Sequence, residues 1–288
     1  MENVTNYVNV TANSTVGGVA ANAENNTSNL INCVNYGNIN GASYIIGGIA
    51  GSLGNNATNC VNYGDVTAGS ESAGGIGGTT KKTGTISGCY NYGKITGTKF
   101  AGGVIGNLVK PIYDSVNYGT VVGNGQRGGV VGISTALIKN CTNYGLVTNA
   151  TSGWNVGGIV GETSANVEDC TNYGEVSGIT THVGGIVGSL SSGNITNCVN
   201  EGKINGFSWG AGGIVANIAV NTSVVSGCIN RGEIMNGQGQ AGGIVGKAKG
   251  TISGCENFGA VLSGAAVGGI VGDPQNDTTT KDCVDHTA

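Results

Sequence analysis

The sequence repeats itself about every 28 residues from one end to the other, and each copy carries two short signatures. One reads Cys-x-Asn-Tyr-Gly-x-(Val/Ile)-x-Gly and the other Gly-Gly-(Ile/Val)-(Val/Ala)-Gly. Indexed on its Cys, the first starts near Val4, Cys33, Cys60, Cys89, Ser115, Cys141, Cys170, Cys198, Cys228 and Cys255, with a partial copy from Cys283. A fixed period in this range marks a solenoid or another repeat array. A propeller blade needs about 40 residues for its four strands, so the shorter period selects stacked coils. Such a coil cannot bury an apolar face alone, and each strand must pair in parallel with its equivalents in neighbouring coils. The sequence predicts an all-β parallel β-helix of about ten coils, a single domain over residues 1–288 with no helices. At about 4.8 Å per coil the rod is roughly 50 Å long, and the crossover preference favours a right-handed wind.

Composition agrees with strands and tight turns. Gly supplies 57 residues and Pro only 2, with the remainder dominated by Asn, Thr, Ser, Val and Ile. Net charge is −4 with 10% charged residues, and no basic run provides the electrostatic footprint that nucleic acid requires. Apolar runs are short and broken by Gly, so no segment spans a membrane as a helix, and no signal peptide opens the chain. The signature begins almost at Met1 and breaks off after Cys283. That reads as a piece of a longer protein, with adjoining domains as its first partners.

Within the first signature a period of two directs alternate residues inward. In the third coil Cys60, Asn62, Gly64 and Val66 point in while Val61, Tyr63 and Asp65 point out. An aliphatic residue three places before the Cys, such as Ile86, Ile112 or Ile138, starts a short strand or continues one around a bend. With the second signature this gives two or three strands per coil. Asn recurs at Asn6, Asn35, Asn62, Asn91, Asn117, Asn143, Asn172, Asn200, Asn230 and Asn257. A lone buried amide is hard to satisfy, whereas a stacked row can hydrogen-bond along the rod. The nine Cys lie a repeat apart with no Cys-x-x-Cys pair, and Val4 and Ser115 share their column. The position therefore wants a small side chain, and the reading is reduced, buried thiols with no zinc site.

The second signature recurs at Gly157, Gly184, Gly242 and Gly268, with variants at Gly17, Gly47, Gly74, Gly102, Gly128 and Gly212, and resembles the GLUG-motif repeat. That resemblance implies a repeat-built segment of an exported bacterial protein, extracellular or on the cell surface, with an adhesive or spacing role. The non-catalytic region of certain immunoglobulin A peptidases contains such repeats. Their His-Glu-x-x-His zinc motif is missing here, since His182 and His286 are far apart and neither precedes Glu. Protease activity is not carried over, and nothing calls for a cofactor.

Two aromatic groups stand out. Tyr7, Tyr36, Tyr63, Tyr92, Tyr118, Tyr144 and Tyr173 follow the Asn in seven successive coils, before the column changes to Glu201, Arg231 and Phe258. The switch to charge requires exposure, so the column is either a stabilising stack or a stripe that offers flat faces to a sugar chain. Just before the double glycine, Trp154, His182 and Trp209 fall in three consecutive coils, flanked by Phe207, with Tyr44 and Phe100 at the same corner further up. Paired indoles about 10 Å apart suit separate sugar units, and packing of the loops on the rod is the plainer alternative. Acidic and basic residues two beyond the Tyr column, Asp65, Lys94, Glu175, Lys203 and Glu233, read as solvated charge ladders. Glu168 and Asp169, adjacent in sequence, should face opposite sides of a strand. No catalytic constellation is apparent. The readings are a non-catalytic rod, a carbohydrate-binding solenoid with a glycan or host surface protein as partner, and a filament of copies stacked end to end through uncapped coils.

Overall fold

The computed structural model describes residues 1–25, 27–42, 44–149, 151, 153–179 and 182–287. The chain winds as a parallel β-solenoid, and no helix occurs among the described residues. A typical coil contains Val61–Asn62, Val66–Ala68, Ser72–Gly74, Gly77–Thr80 and Ile86–Ser87. The strands pair in parallel with their equivalents above and below, in register except for shifts at Ile234/Met235 and Ala248/Gly250; Val61, for example, stands between Val34 and Tyr90. The first strands form an 11-stranded sheet, the second and third form 10-stranded sheets, and the fourth and fifth share an 18-stranded sheet. In the last two complete coils these fuse into Val245–Ser253 and Val271–Lys281.

Five strands per coil exceed the two or three expected from the sequence. The difference lies at the corners. The double glycine separates two strands that belong to different sheets, and the aliphatic residue before the Cys has a strand of its own. Between that strand and the Cys stands a residue in the left-handed region: Asn59 at φ 53°, Gly88 at 60°, Asp114 at 50° and Asn197 at 53° are examples. Asn, Asp and Gly are the residues that tolerate this conformation. The corner also corrects the expectation for Glu168 and Asp169. With Asp169 at φ 53°, alternation breaks, and both carboxylates reach Lys139 Nζ, at 3.1 and 3.3 Å.

The inward column of the first signature is as expected, with Cys60, Asn62, Gly64 and Val66 buried and Tyr63 and Asp65 exposed. The interior forms two apolar columns. One joins the Cys residues to Ile86, Ile112 and Ile138 and to the aliphatic residues after the double glycine. The other joins Val66, Ile95 and Val121 to Ala73, Ala101 and Val156. All nine cysteines are free, and every one but the half-buried Cys283 is buried. Burial raises the Cys170 thiol well above its ordinary value.

The Asn row is a one-way ladder. Each Nδ2 donates to Oδ1 of the Asn in the following coil, at 2.7 Å from Asn6 to Asn35 and 2.8 Å from Asn143 to Asn172. The second proton goes to the carbonyl two residues on, that of Val8 on the first rung and of a glycine beyond it, as from Asn62 to Gly64 at 2.7 Å. The row passes unbroken to Asn257, whose Nδ2 donates to Asp285 Oδ1 at 2.9 Å. Asp285 therefore occupies the eleventh position as a pure acceptor when ionised. The ladder also explains the double glycine: a Cβ on Gly75 would run into Asn91 Oδ1 and the Gly103 carbonyl oxygen.

Candidate functional site

The tyrosine column forms a continuous stack. Successive ring centroids from Tyr7 to Tyr173 lie 4.8–5.1 Å apart with interplanar angles of 1–10°. This is the strand spacing itself. Each ring covers its neighbour's faces, so edges and hydroxyls meet solvent along the stripe, and sugar rings find few open faces there. Burial, together with the adjacent Tyr118 and Tyr63 phenols, raises the Tyr92 hydroxyl above its ordinary value. Beyond Tyr173 the column continues as an ion pair, Arg231 to Glu201 at 2.8 Å, with the guanidinium 5.5 Å from the Phe258 ring centre and His286 stacked on Phe258 at 4.1 Å. The neighbouring charge ladder is paired in part, Lys203 to Glu233 at 2.8 Å.

The corner before the double glycine is different. Its aromatic side chains project from loops and strand starts and lean over the outward column of the next strand, in which Ile133, Glu162 and Ser189 are in register. Two pockets result, of ≈ 590 and ≈ 450 Å³, which meet at Gln126 and Trp154. The larger includes Phe100 and Lys99, whose ammonium lies 5.1 Å from the Phe100 ring centre. The smaller places Trp154 and Trp209 around His182. The trough thus unites four of the six aromatic-corner residues expected from the sequence. Tyr44 and Phe207, both about half exposed, line neither pocket.

The polar half of the trough escapes a search for aromatic residues. Gln126, Asn155 and His182 share one column on successive rungs, and their side chains converge on Glu162. Gln126 Nε2 donates to Glu162 Oε2 at 3.2 Å, Asn155 Nδ2 donates to the same oxygen at 3.0 Å, and Ser191 Oγ donates to Oε1 at 3.3 Å. With its amide nitrogen so engaged, Asn155 turns Oδ1 toward His182 Nδ1, 3.0 Å away. That contact calls for a proton on Nδ1, and in the neutral ring, which burial favours, Nε2 keeps its lone pair. Burial lowers the His182 pKa, and Lys247 lowers it further against an opposing pull from Glu162. The Trp209 ring meets His182 edge-on, at 6.2 Å and 71°. Only position in the outward column and proximity to Trp154 could have flagged Glu162 and Asn155 in the sequence.

Among the described residues no group of three or more His, Cys, Asp or Glu is placed to hold a metal ion, and no helix is long and apolar enough to cross a membrane. No curated protein and no solved structure matches the chain. The family model described as the GLUG motif matches residues 179–205, a stretch that contains the Gly184-Gly185-Ile186-Val187-Gly188 signature. That signature recurs, in full or as a close variant, in each of the other complete coils, so the matched motif and the repeat around it are consistent with a GLUG-repeat protein.

Proposed function

We propose that the chain is a non-catalytic structural module, a rigid rod that spaces or presents an adhesive region in an exported bacterial protein. The observation that supports this most directly is the unbroken ladder from Asn6 to Asp285, which ties every coil to the next by side-chain hydrogen bonds, buried except at the two end joints, in addition to the backbone pairs. A solenoid built this way holds its ends at a fixed separation, and whole coils set its length. Two measurements test the reading. Removal of one coil, residues 141–169, joins Asn140 to Cys170 in the same phase; small-angle scattering should show the rod shortened by about 4.8 Å with its fold intact. Antibodies against the chain should label intact producing cells. A collapsed or unfolded deletion variant, or label confined to permeabilised cells, overturns the reading.

A second reading is end-to-end assembly, favoured by the burial pattern. Columns fully buried mid-rod are only half-buried at the terminal rungs, at Val10 and Val19 at one end and Val261, Ile270 and Cys283 at the other. A neighbouring rung of like geometry, from an adjoining segment or a second copy, would complete their burial.

A further inference from the structure

We propose that the trough beside Trp154, His182 and Trp209 is a binding site for a neutral oligosaccharide, with sugar rings on the two indoles and a sugar hydroxyl donated to His182 Nε2. This adds a ligand to the rod and does not depend on its spacing role. Three observations converge. Trp154 and Trp209 are 67% and 63% exposed, an unusual state for large apolar rings, and both border the same ≈ 450 Å³ pocket. They stand two rungs apart, about 10 Å at the strand spacing, with His182 on the rung between. An extended sugar chain laid along the rod axis would place alternate units against the indoles and the intervening unit over the imidazole.

The polar groups select the class of ligand. Asn155 is 8% exposed and is held between His182 and Glu162, so the network is built into the rod and its orientation is fixed before a ligand arrives. With Nδ1 engaged by Asn155, the neutral ring has the Nε2 lone pair left to accept from a hydroxyl donor. Gln126 and Ser189 add hydroxyl-compatible groups along the floor. The Glu162 carboxylate already accepts from three side chains and disfavours a second carboxylate nearby. Lys247, the cation that acts on His182, stands two rungs along the Glu162 column from Ser189. An uncharged polyol fits this balance better than an acidic sugar. The tyrosine stack, its faces mutually covered, offers no comparable platform.

The chain has only two tryptophans, both in this trough, so intrinsic fluorescence reports on the site alone. Cellohexaose, chitohexaose and mannohexaose are the probes. At least one should give a saturable shift in tryptophan emission. By calorimetry, Trp154→Ala and Trp209→Ala should each weaken binding by about tenfold or more, and the double variant should abolish it. His182→Phe keeps the ring but removes the acceptor, and should weaken binding while leaving the β-sheet circular dichroism unchanged. Tyr92→Ser should bind as the parent does. The proposal is overturned if no probe saturates at millimolar concentration, if binding survives the double tryptophan variant, or if only an anionic chain such as oligogalacturonate binds.

Discussion

Lys110 is an instructive residue because it places an ammonium in the rod with 1% exposure and no carboxylate beside it among the described residues. Its Nζ donates to the carbonyl oxygens of Asn55 and Thr83. Burial lowers its pKa from 10.5 to about 8. The unfolded chain then binds the proton more tightly than the folded one, so stability rises with pH between these values; below about pH 8 the cost is fully present. Buried thiols, which ionise only on unfolding, act in the opposite direction over the same range, so the effect is read by difference: from pH 8 to pH 9.5 in urea melts, the parent should gain stability relative to Lys110→Met, by about 3 kcal/mol across the whole window. Asn197 makes a second test, of backbone rather than charge. Its φ of 53° recurs at this corner in coils where Gly88, Gly227 and Gly254 take the place. Asn197→Gly should therefore alter stability by only a few tenths of a kcal/mol, whereas Asn197→Val should cost about 1–2 kcal/mol in the same melts.

At the scale of the element, the ladder is a set of identical joints, and one joint can be broken on purpose. Asn143→Leu leaves one Asn117 amide proton, Asn172 Oδ1 and the Gly145 carbonyl oxygen without their present partners. At about 1–3 kcal/mol for each orphaned group, chemical denaturation should show a loss of several kcal/mol. Such joints are why much of the architecture is legible in the sequence. A ladder demands the same residue on every rung, so the Asn, Cys and Tyr columns announce themselves by period. The corners are harder to read, because Asn, Asp and Gly exchange freely at a left-handed position and no single residue type marks it. The trough is harder still. Trp154 and Trp209 draw notice as rare residues, but Gln126, Asn155 and Glu162 each occur once on a variable face, and only the winding of the chain brings them together. Arg127 belongs with them: it points inward in a column otherwise held by Ile46, Ala73, Ala101 and Val156, and its Nε and Nη2 have no hydrogen-bond partner among the described residues.

For the whole molecule, the direction of the ladder bears on assembly. A second copy stacked in phase beyond Asp285 would set its own Asn6 Oδ1 against a carboxylate that has no proton to donate. Two acceptors would meet where every internal joint pairs a donor with an acceptor. Electron microscopy at neutral pH should therefore show discrete rods of roughly 50 Å, while Asp285→Asn, which restores a donor, should yield longer particles as concentration rises. Long fibres of the unaltered chain at neutral pH would instead favour the end-to-end reading, with burial of Val10, Val19, Val261 and Ile270 outweighing the facing acceptors. The same ladder has a mechanical side. Its hydrogen bonds run along the rod axis, and so do those between coils, so tension applied to the two ends loads one terminal rung at a time. A coil that lets go releases about 28 residues, or about 90–100 Å of extended chain, while the rest of the stack stays whole. Whatever such a rod tethers is held stiffly against bending, yet under a sharp pull it gives way in measured lengths, as a coiled line runs out before it parts.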